Sequence, residues 1–274
     1  MAFSINTNIN AMQTNIDATL ASNSLDQTIA ALAAGTQSSS SDVAGFSIAS
    51  GMSAQVAGTS QAIQNANSSI GMLQVADGGM SSINDNMQRI QELTIRADNG
   101  TMSDSDRAAI QKEIDGLLQA SNDIANNTSF NGIKLLNGTG GSSGDGTFVT
   151  QTGANAGETQ SVTIGSATVD SLVGSIDITT QEGRDAAFTS LDSALKDIGN
   201  IRSDLGSAQN ELASSARNSY ISKNNTAASE SMIKDIDFAQ ESANFSQQSL
   251  MTQVGVFAQS QSNLSNARVA SLLA

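Results

Sequence analysis

Apolar residues recur at alternating intervals of three and four positions through one long stretch of the chain. The series is Leu73, Ala76, Met80, Ile83, Met87, Ile90, Thr94 and Ala97. This heptad spacing is typical of a coiled-coil seam, and Ile63 and Ile70 extend the apolar face upstream. We therefore expect a helix over about 63–98, ending where Asn99 and Gly100 suit a C-terminal cap.

A second helix is predicted directly after the first. Ser103 and Asp106 form an S-x-x-D arrangement that is typical of a helix N-terminus, within the acidic segment "SDSD". The apolar seam that follows consists of Ile110, Ile114, Leu117, Ser121 and Ile124. Because only a short connection separates the two helices, we expect them to fold back as an antiparallel hairpin.

The pattern changes after Phe130. The segment "FNGIKLLNGTGGSSGDGTFV" is rich in glycine turns, while "SVTIGSATV" (161–169) and "SIDITT" (175–180) alternate like short strands. A third long helix is expected over about 183–222. Its apolar positions Leu191, Ile198, Leu205 and Leu212 lie seven residues apart.

The two ends of the chain carry narrow apolar stripes in a background of Asn, Ser, Thr and Gln. The stripes are Ile5, Ile9, Met12, Ile16 and Leu20 near the start, and Leu250, Val254, Phe257, Leu264 and Leu272 near the end. Neither predicted helix has enough apolar area to be stable alone. Two interpretations stay open: the ends pack on the chain's own core, or copies of a partner order them.

Composition excludes several classes of function. The chain has no Cys and no His, which removes thiol nucleophiles, Cys/His metal sites and the usual general base. We expect no cofactor and no enzymatic activity. An active site built only from carboxylates is the one remaining option for an enzyme. The net charge of −14 argues against nucleic acid as a partner. Proline is also absent, so long helices can run without interruption.

Membrane insertion is not expected either. The run "IAALAA" is far shorter than the ~20 apolar residues that span a bilayer. The start of the sequence has no basic segment before an apolar stretch, so we expect no cleavable signal peptide.

Positive charge begins abruptly at Arg89, after 88 residues without Lys or Arg. In the predicted hairpin, Arg89 and Glu113 fall at the same level. Helical geometry places Leu93 on a flank about 110° from the seam. One interpretation is an ordinary ion pair on a solvated surface. The other is that Arg89, Leu93 and Glu113 form a patch that contacts neighbouring copies or another protein.

Several segments resemble one family in the family's own order. They are "FSINTNINAM", "VAGFSIASGM", "QRIQELTIRADNGTMSDSDRAAIQKEID" and "NTSFNGIKLLNG" in the first half, and "QTGANAGET", "RSDLGSAQNEL", "IKDIDFAQESANFS" and "NARVASLLA" in the second. On these segments the chain resembles bacterial flagellin, in a short form without the variable outer domains. Two segments depart from the family's pattern, because "TQSSSSDVAGFSIAS" lacks the usual Arg and "QVAGT" stands where "QIRGL" is common.

The resemblance implies a mainly α fold: a long antiparallel coiled-coil bundle, or rod, with a small β-hairpin tip and paired terminal helices that form an inner tube. The implied boundaries are 1–40 and 232–274 for the inner-tube helices, 41–130 and 183–231 for the halves of the rod, and 131–182 for the tip. This is the expected domain organisation.

The resemblance also implies a function and partners. The expected function is a secreted structural subunit that polymerises with copies of itself into the extracellular flagellar filament, exported without a cleavable signal peptide. Implied partners are an export chaperone, the filament cap protein, hook-associated proteins and, through Arg89, Leu93 and Glu113, the vertebrate innate receptor for flagellin. A hook–filament junction protein of the same family is the alternative.

Overall fold

The computed structural model describes residues 9–37 and 42–273, and most of these residues are helical. In chain order the elements are α1 Ile9–Ala34, α2 Val43–Ala97, α3 Asp104–Asn127, β1 Ser129–Phe130, β2 Ile133–Lys134, β3 Thr147–Gln151, β4 Thr159–Thr163, α4 Val169–Leu172, α5 Gln181–Lys234 and α6 Phe238–Leu273. The chain divides into two compact units. The larger unit is Gln55–Asn225, and the smaller unit combines the residues up to 54 with those from 226 onward.

The expected heptad seam forms the core of the larger unit. All eight seam positions from Leu73 to Ala97 on α2 are fully buried. The four positions on α5 from Leu191 to Leu212 are buried as well. Side chains of α2, α3 and α5 join in one hydrophobic cluster, so the prediction of a mainly α bundle is confirmed. Helices α2 and α5 are longer than predicted, at 55 and 54 residues.

The turn between α2 and α3 is held by side chains at both helix ends. Ser103 Oγ accepts a hydrogen bond from the Asp106 amide, and the Ser103 amide donates to the Asp106 carboxylate at 3.1 Å. This capping box confirms the predicted start of α3. Helix α2 ends near the predicted position, but the glycine cap was wrong, because Gly100 does not adopt a left-handed conformation. Instead, Arg107 donates to the carbonyls of Ala97 at 3.1 Å and Asn99 at 3.4 Å.

The β segment contains two antiparallel strand pairs, a short one of β1 with β2 and a longer one of β3 with β4. Strands β3 and β4 pair from Thr147↔Thr163 to Gln151↔Thr159. Ser69 on α2 shares a hydrogen bond of 2.7 Å with Thr150, and Asn65 donates to the Gln151 carbonyl at 3.3 Å. The predicted β-hairpin is therefore present, and β3 packs beside α2.

The prediction of a strand at 175–180 was wrong, although Ile176 and Ile178 alternate with polar residues and are buried. The backbone partner of this segment is a side chain and not another strand. The Gln111 amide group donates to the Ile176 carbonyl at 2.9 Å and accepts from the Ile178 amide at 2.8 Å. One glutamine thus supplies the donor and acceptor that a neighbouring strand would otherwise provide. The predicted strand 161–169 was right only in its first part, because β4 ends at Thr163 and α4 begins at Val169.

The smaller unit contains α1 and α6, which pack antiparallel, together with the first residues of α2 and the last residues of α5. Thr28 donates a hydrogen bond of 2.7 Å to Gln248, and Ala18 lies against Gly255. The connections that follow α1 and precede α6 also pair, since the Gln37 amide donates to the Lys234 carbonyl at 2.7 Å. In the described part of this unit, the buried apolar side chains are only two alanines, Ala31 and Ala49.

Candidate functional site

Two surfaces of the chain carry the residues that the sequence singled out. One is the charged surface on α2 and α3, and the other is the apolar stripe on each terminal helix. Among the described helices, none is long and apolar enough to cross a membrane. The described side chains also contain no group of acidic residues arranged to hold a metal ion.

The charged surface on α2 and α3 contains the predicted ion pair. Arg89 donates from Nη2 to Glu113 Oε1 at 3.0 Å and from Nη1 to Glu92 Oε2 at 3.0 Å. The side chains of Arg89 and Glu113 are each 49% exposed. The hydrogen bond from Arg89 to Glu113, followed by the one to Glu92, raises the pKa of the Arg89 guanidinium. The prediction that Arg89 and Glu113 lie at the same level of an antiparallel hairpin is confirmed.

Leu93 was wrongly placed on a flank of the bundle, because it is 1% exposed and belongs to the core cluster. The buried arc on this part of α2 runs from Met87 to Leu93, which spans about 120° of the helix. A helix that shares a core with two others buries a wider arc than the narrow seam of a two-stranded coiled coil. The structure brings Arg89 and Glu113 together at the surface and places Leu93 in the core.

A buried arginine that the sequence analysis missed joins three segments at one end of the bundle. Arg184, at the start of α5, is 5% exposed. It donates to Asp98 Oδ1 at 3.0 Å and to the Ile178 carbonyl at 3.1 Å. The hydrogen bond from Arg184, and then one from Gln181, holds the pKa of Asp98 below its ordinary value. The signal was present in the sequence, because Arg184 lies seven residues before Leu191 and so continues the heptad series of α5.

The predicted stripe on α1 is exposed in the isolated chain. Ile9, Met12, Ile16 and Leu20 are between 52% and 72% exposed, and they fall within about 80° of the helix surface. Ile5, the first residue of the predicted stripe, lies outside the described residues. The stripe is therefore an apolar surface that the chain's own α6 does not cover.

The stripe on α6 has the same character. Leu250, Val254, Phe257 and Leu264 are between 54% and 72% exposed and also lie within about 80°. The side chain of Leu272 lies outside the described residues. Helices α1 and α6 contact each other through small and polar residues, such as Ala18 with Gly255 and Thr28 with Gln248. Their large apolar side chains consequently remain available for other contacts.

Comparison with known proteins places these surfaces in a family context. The family described as bacterial flagellin N-terminal helical region matches residues 5–140. The family described as bacterial flagellin C-terminal helical region matches residues 188–273. Together the two matches cover most of the chain and leave only residues 141–187 between them.

Individual relatives agree with these matches. Polar flagellin A of Vibrio parahaemolyticus serotype O3:K6 is 36% identical over 192 residues, which cover 69% of this chain and 50% of that protein. Phase 1 flagellin of Salmonella naestved is 38% identical over 174 residues, covering 63% of this chain and 33% of that protein. The chain thus matches half or less of the length of these relatives. The crystal structure of Bacillus cereus flagellin superposes with a TM-score of 0.51 at 25% identity, covering 57% of this chain and 88% of that one.

Proposed function

This chain belongs to the bacterial flagellin family, and we propose that it is a structural subunit that polymerises with copies of itself into a flagellar filament. The exposed apolar stripes on α1 and α6 carry this proposal. Burial of one large apolar side chain contributes about 1.5–3 kcal/mol. The eight described stripe residues are each more than half exposed, so contact with neighbouring copies can offset an association cost of about 4–15 kcal/mol.

Assembly and ordering of the smaller unit are coupled in this mechanism. The described part of that unit buries only Ala31 and Ala49 as apolar side chains, which gives it little core of its own. Neighbouring copies would supply the missing apolar contacts, so the terminal helices gain most of their stability in the polymer. We propose that α1 and α6 form the inner tube of the filament and that the larger unit forms the surrounding rod.

A pair of matched variants tests this mechanism. Val254→Asp places a charge on the stripe of α6, while Gln253→Asp places the same charge on an exposed neighbouring position. We expect purified Gln253→Asp protein to elongate sonicated filament fragments like the unchanged chain, and Val254→Asp protein to elongate them at least tenfold more slowly. Electron microscopy and light scattering measure the elongation. Equal elongation by the two variants would contradict a role for the stripe in assembly.

We propose that the subunit works outside the cell after export by the flagellar route. The small core of the smaller unit and the absence of Cys favour passage as an unfolded chain. An export chaperone would find an exposed apolar stripe on α6, and the cap protein and hook-associated proteins would contact the subunit during assembly. Copurification of wild-type chain, but not the Val254→Asp variant, with an export chaperone would support this part.

A second candidate function rests on the exposed ion pair of Arg89 and Glu113. We propose that the vertebrate innate receptor for flagellin recognises the free monomer at this surface, with buried Leu93 supporting it from below. Arg89→Ala removes the central cation, and Arg96→Ala is a matched control on the same helix. We expect only the first variant to reduce signalling by purified monomer in receptor-bearing reporter cells. Unchanged signalling by Arg89→Ala would exclude this function.

A hook–filament junction protein is the alternative role within the same family. A junction protein would cap filament fragments in few copies and would not lengthen them. The long exposed stripes on both terminal helices favour an open polymer instead, because an open assembly must repeat the same contacts without limit. Seeded elongation viewed by electron microscopy separates the two roles directly.

A further inference from the structure

Methionine carries all the sulfur in this chain. The sequence has nine Met and no Cys, so no thiol competes for an oxidant that reaches the protein. His and Trp, two further side chains that oxidants attack, are absent as well. A methionine thioether takes up one oxygen atom to become a sulfoxide, which turns a flexible apolar side chain into a polar one. Oxidation of this chain therefore falls mainly on the methionines that solvent can reach.

Exposure divides the described methionines between the two units. The core of the larger unit holds three methionines that are at most 9% exposed: Met72, Met80 and Met87. Met12, Met232 and Met251 belong to the smaller unit, and they are 60%, 85% and 58% exposed. Met52 and Met102 are partly buried. Among the described methionines, an oxidant in solution therefore reaches those of the smaller unit first.

Met12 belongs to the apolar stripe of α1. It lies between Ile9 and Ile16 along the helix, about 60° and 40° from them around the axis. Like these neighbours, it is more than half exposed, so the chain's own α6 does not cover it. A sulfoxide at Met12 would place a polar oxygen within the surface that, on the proposed mechanism, neighbouring copies bury.

Met251 holds a similar position beside the stripe of α6. It lies about 60° around the helix from Val254, and it lines a cleft between α1 and α6 together with Ala21 and Ser24. Met232 differs from both, because it lies near the end of α5 and outside the two stripes. The chain thus offers two exposed thioethers at the proposed assembly surface and a third, more exposed one away from it.

We propose that Met12 and Met251 are sulfoxidation sites at which a peroxide controls assembly, because their oxidation in the free subunit stops polymerisation. This inference rests on the proposed polymerisation and adds a regulation of it. In the reaction with hydrogen peroxide, the thioether sulfur attacks one peroxide oxygen and the O–O bond breaks. The sulfur keeps that oxygen as the sulfoxide, and the second oxygen leaves with both hydrogens as water. The sulfur is oxidised, the peroxide is reduced, and no further reactant is needed.

The size of the effect follows from desolvation of the new oxygen. Burying a polar group without a hydrogen-bond partner is unfavourable by an amount that corresponds to about 10- to 100-fold in an association constant. The stripe residues around Met12 are Ile9 and Ile16, whose side chains have no donor to offer. Neighbouring copies would cover the stripes in the polymer, so oxidation acts on free subunits and spares the assembled filament.

Oxidation of the purified full chain tests the proposal. Free subunits are treated with dilute hydrogen peroxide, catalase removes the excess, and the protein is added to unoxidised, sonicated wild-type filament fragments. Electron microscopy and light scattering measure the elongation rate. The variant with Met12→Leu and Met251→Leu keeps apolar side chains of similar volume and removes both sites. Met232→Leu is the matched control, because it removes the most exposed thioether and leaves both sites in place. Peptide mass spectrometry reports the sulfoxide at each methionine, and circular dichroism checks the helices.

The expected result has three parts. Oxidised wild-type and Met232→Leu subunits elongate fragments at least about tenfold more slowly than before treatment, while the double leucine variant keeps its rate. Methionine sulfoxide reductases of both epimer specificities restore elongation by oxidised wild-type protein, which a damaged fold would not show. Filaments held in the same peroxide gain less sulfoxide at Met12 and Met251 than free subunits do.

Other outcomes overturn the inference. Oxidised wild-type protein that carries sulfoxide at both sites and still elongates at its original rate would show that the sites do not control assembly. An equal loss in the double leucine variant would assign the effect to another methionine. Should that variant elongate poorly before treatment, a loss in the wild type that the reductases do not reverse would also overturn the proposal. Untreated wild-type protein that fails to elongate fragments would instead contradict the proposed polymerisation, so the two failures are distinguishable.

Discussion

Replacement of Arg184 by methionine tests whether one buried guanidinium holds the end of the bundle together. The Arg184 side chain is 6% exposed and donates to the Asp98 carboxylate and the Ile178 carbonyl. Methionine has a similar length and remains apolar, so the substitution removes the hydrogen bonds and leaves little empty space. Arg184→Ala removes the hydrogen bonds and most of the side-chain stem.

The expected loss of stability follows from these contacts. A buried carbonyl that loses its donor costs about 1–3 kcal/mol, so Arg184→Met should reduce the free energy of unfolding by about that amount. The Arg184→Ala variant also loses two buried methylene groups of the side chain, which adds about 1.6 kcal/mol to the loss in free energy of unfolding. For a unit of this size, 1 kcal/mol lowers the melting temperature by about 2–4 °C. The Arg184→Ala protein should therefore have a melting temperature several degrees below that of the Arg184→Met protein.

Thermal unfolding followed by circular dichroism measures the stability of both variants, with Lys196→Met as the exposed control on the same helix.

The pKa of Asp98 is lowered by Arg184, so the stabilisation from this carboxylate is present above its ordinary pKa of about 3.9. It is lost as the pH falls through the lowered value. The difference in melting temperature between the wild-type protein and the Arg184→Met variant should therefore become smaller in acid. An Arg184→Met protein that melts like Lys196→Met at neutral pH would refute the reasoning.

Three further predictions concern other contacts. Gln111→Ala should lower the free energy of unfolding by about 1–3 kcal/mol, because the Ile176 carbonyl and the Ile178 amide lose their partner; Gln119→Ala, at an exposed position, should change it little in urea titrations. Ser103→Ala should cost about 0.5–2 kcal/mol through loss of the helix cap, measured in the same way. Dilute hydrogen peroxide should oxidise Met232, which is 85% exposed, well before Met80, which is fully buried; peptide mass spectrometry over time reports the order.

The features that the sequence predicted are those that local spacing determines. Heptad positions such as Met80 and Leu205 repeat along one helix, so their burial follows from the pattern of that helix alone. The capping box of Ser103 and Asp106 spans four residues. The pairing of Arg89 with Glu113 needed only the length of the turn and the rise of a helix.

The features that the sequence did not predict depend on a third element. Leu93 is buried because α2 shares its core with more than one helix. The apolar periodicity of α2 alone does not reveal how many helices pack against it. The segment around Ile178 has the alternation of a strand, yet its partner is the side chain of Gln111, which lies 67 positions earlier. The role of Arg184 was missed although its heptad position indicated burial, since a charged residue in such a series is ordinarily taken as exposed. The apolar stripes of the terminal helices were identified from residue type, but the sequence left open whether the chain's own core covers them. Their contacts with other copies remain proposals.

The pairing of the two connections in the smaller unit has a consequence for the order of folding. Thr36 bridges Asp235, so this contact closes a loop of about 200 residues, and the entropic cost of closure grows with the logarithm of loop length. The larger unit is contiguous in sequence and can form first. Gln55 and Ser222 line one cleft of that unit, so its formation leaves a loop of only about 30 residues. The closure cost then falls by roughly 1.5–2 kcal/mol. The nested arrangement of the chain thus favours a fixed sequence of events, in which the interior of the sequence folds before its ends can meet.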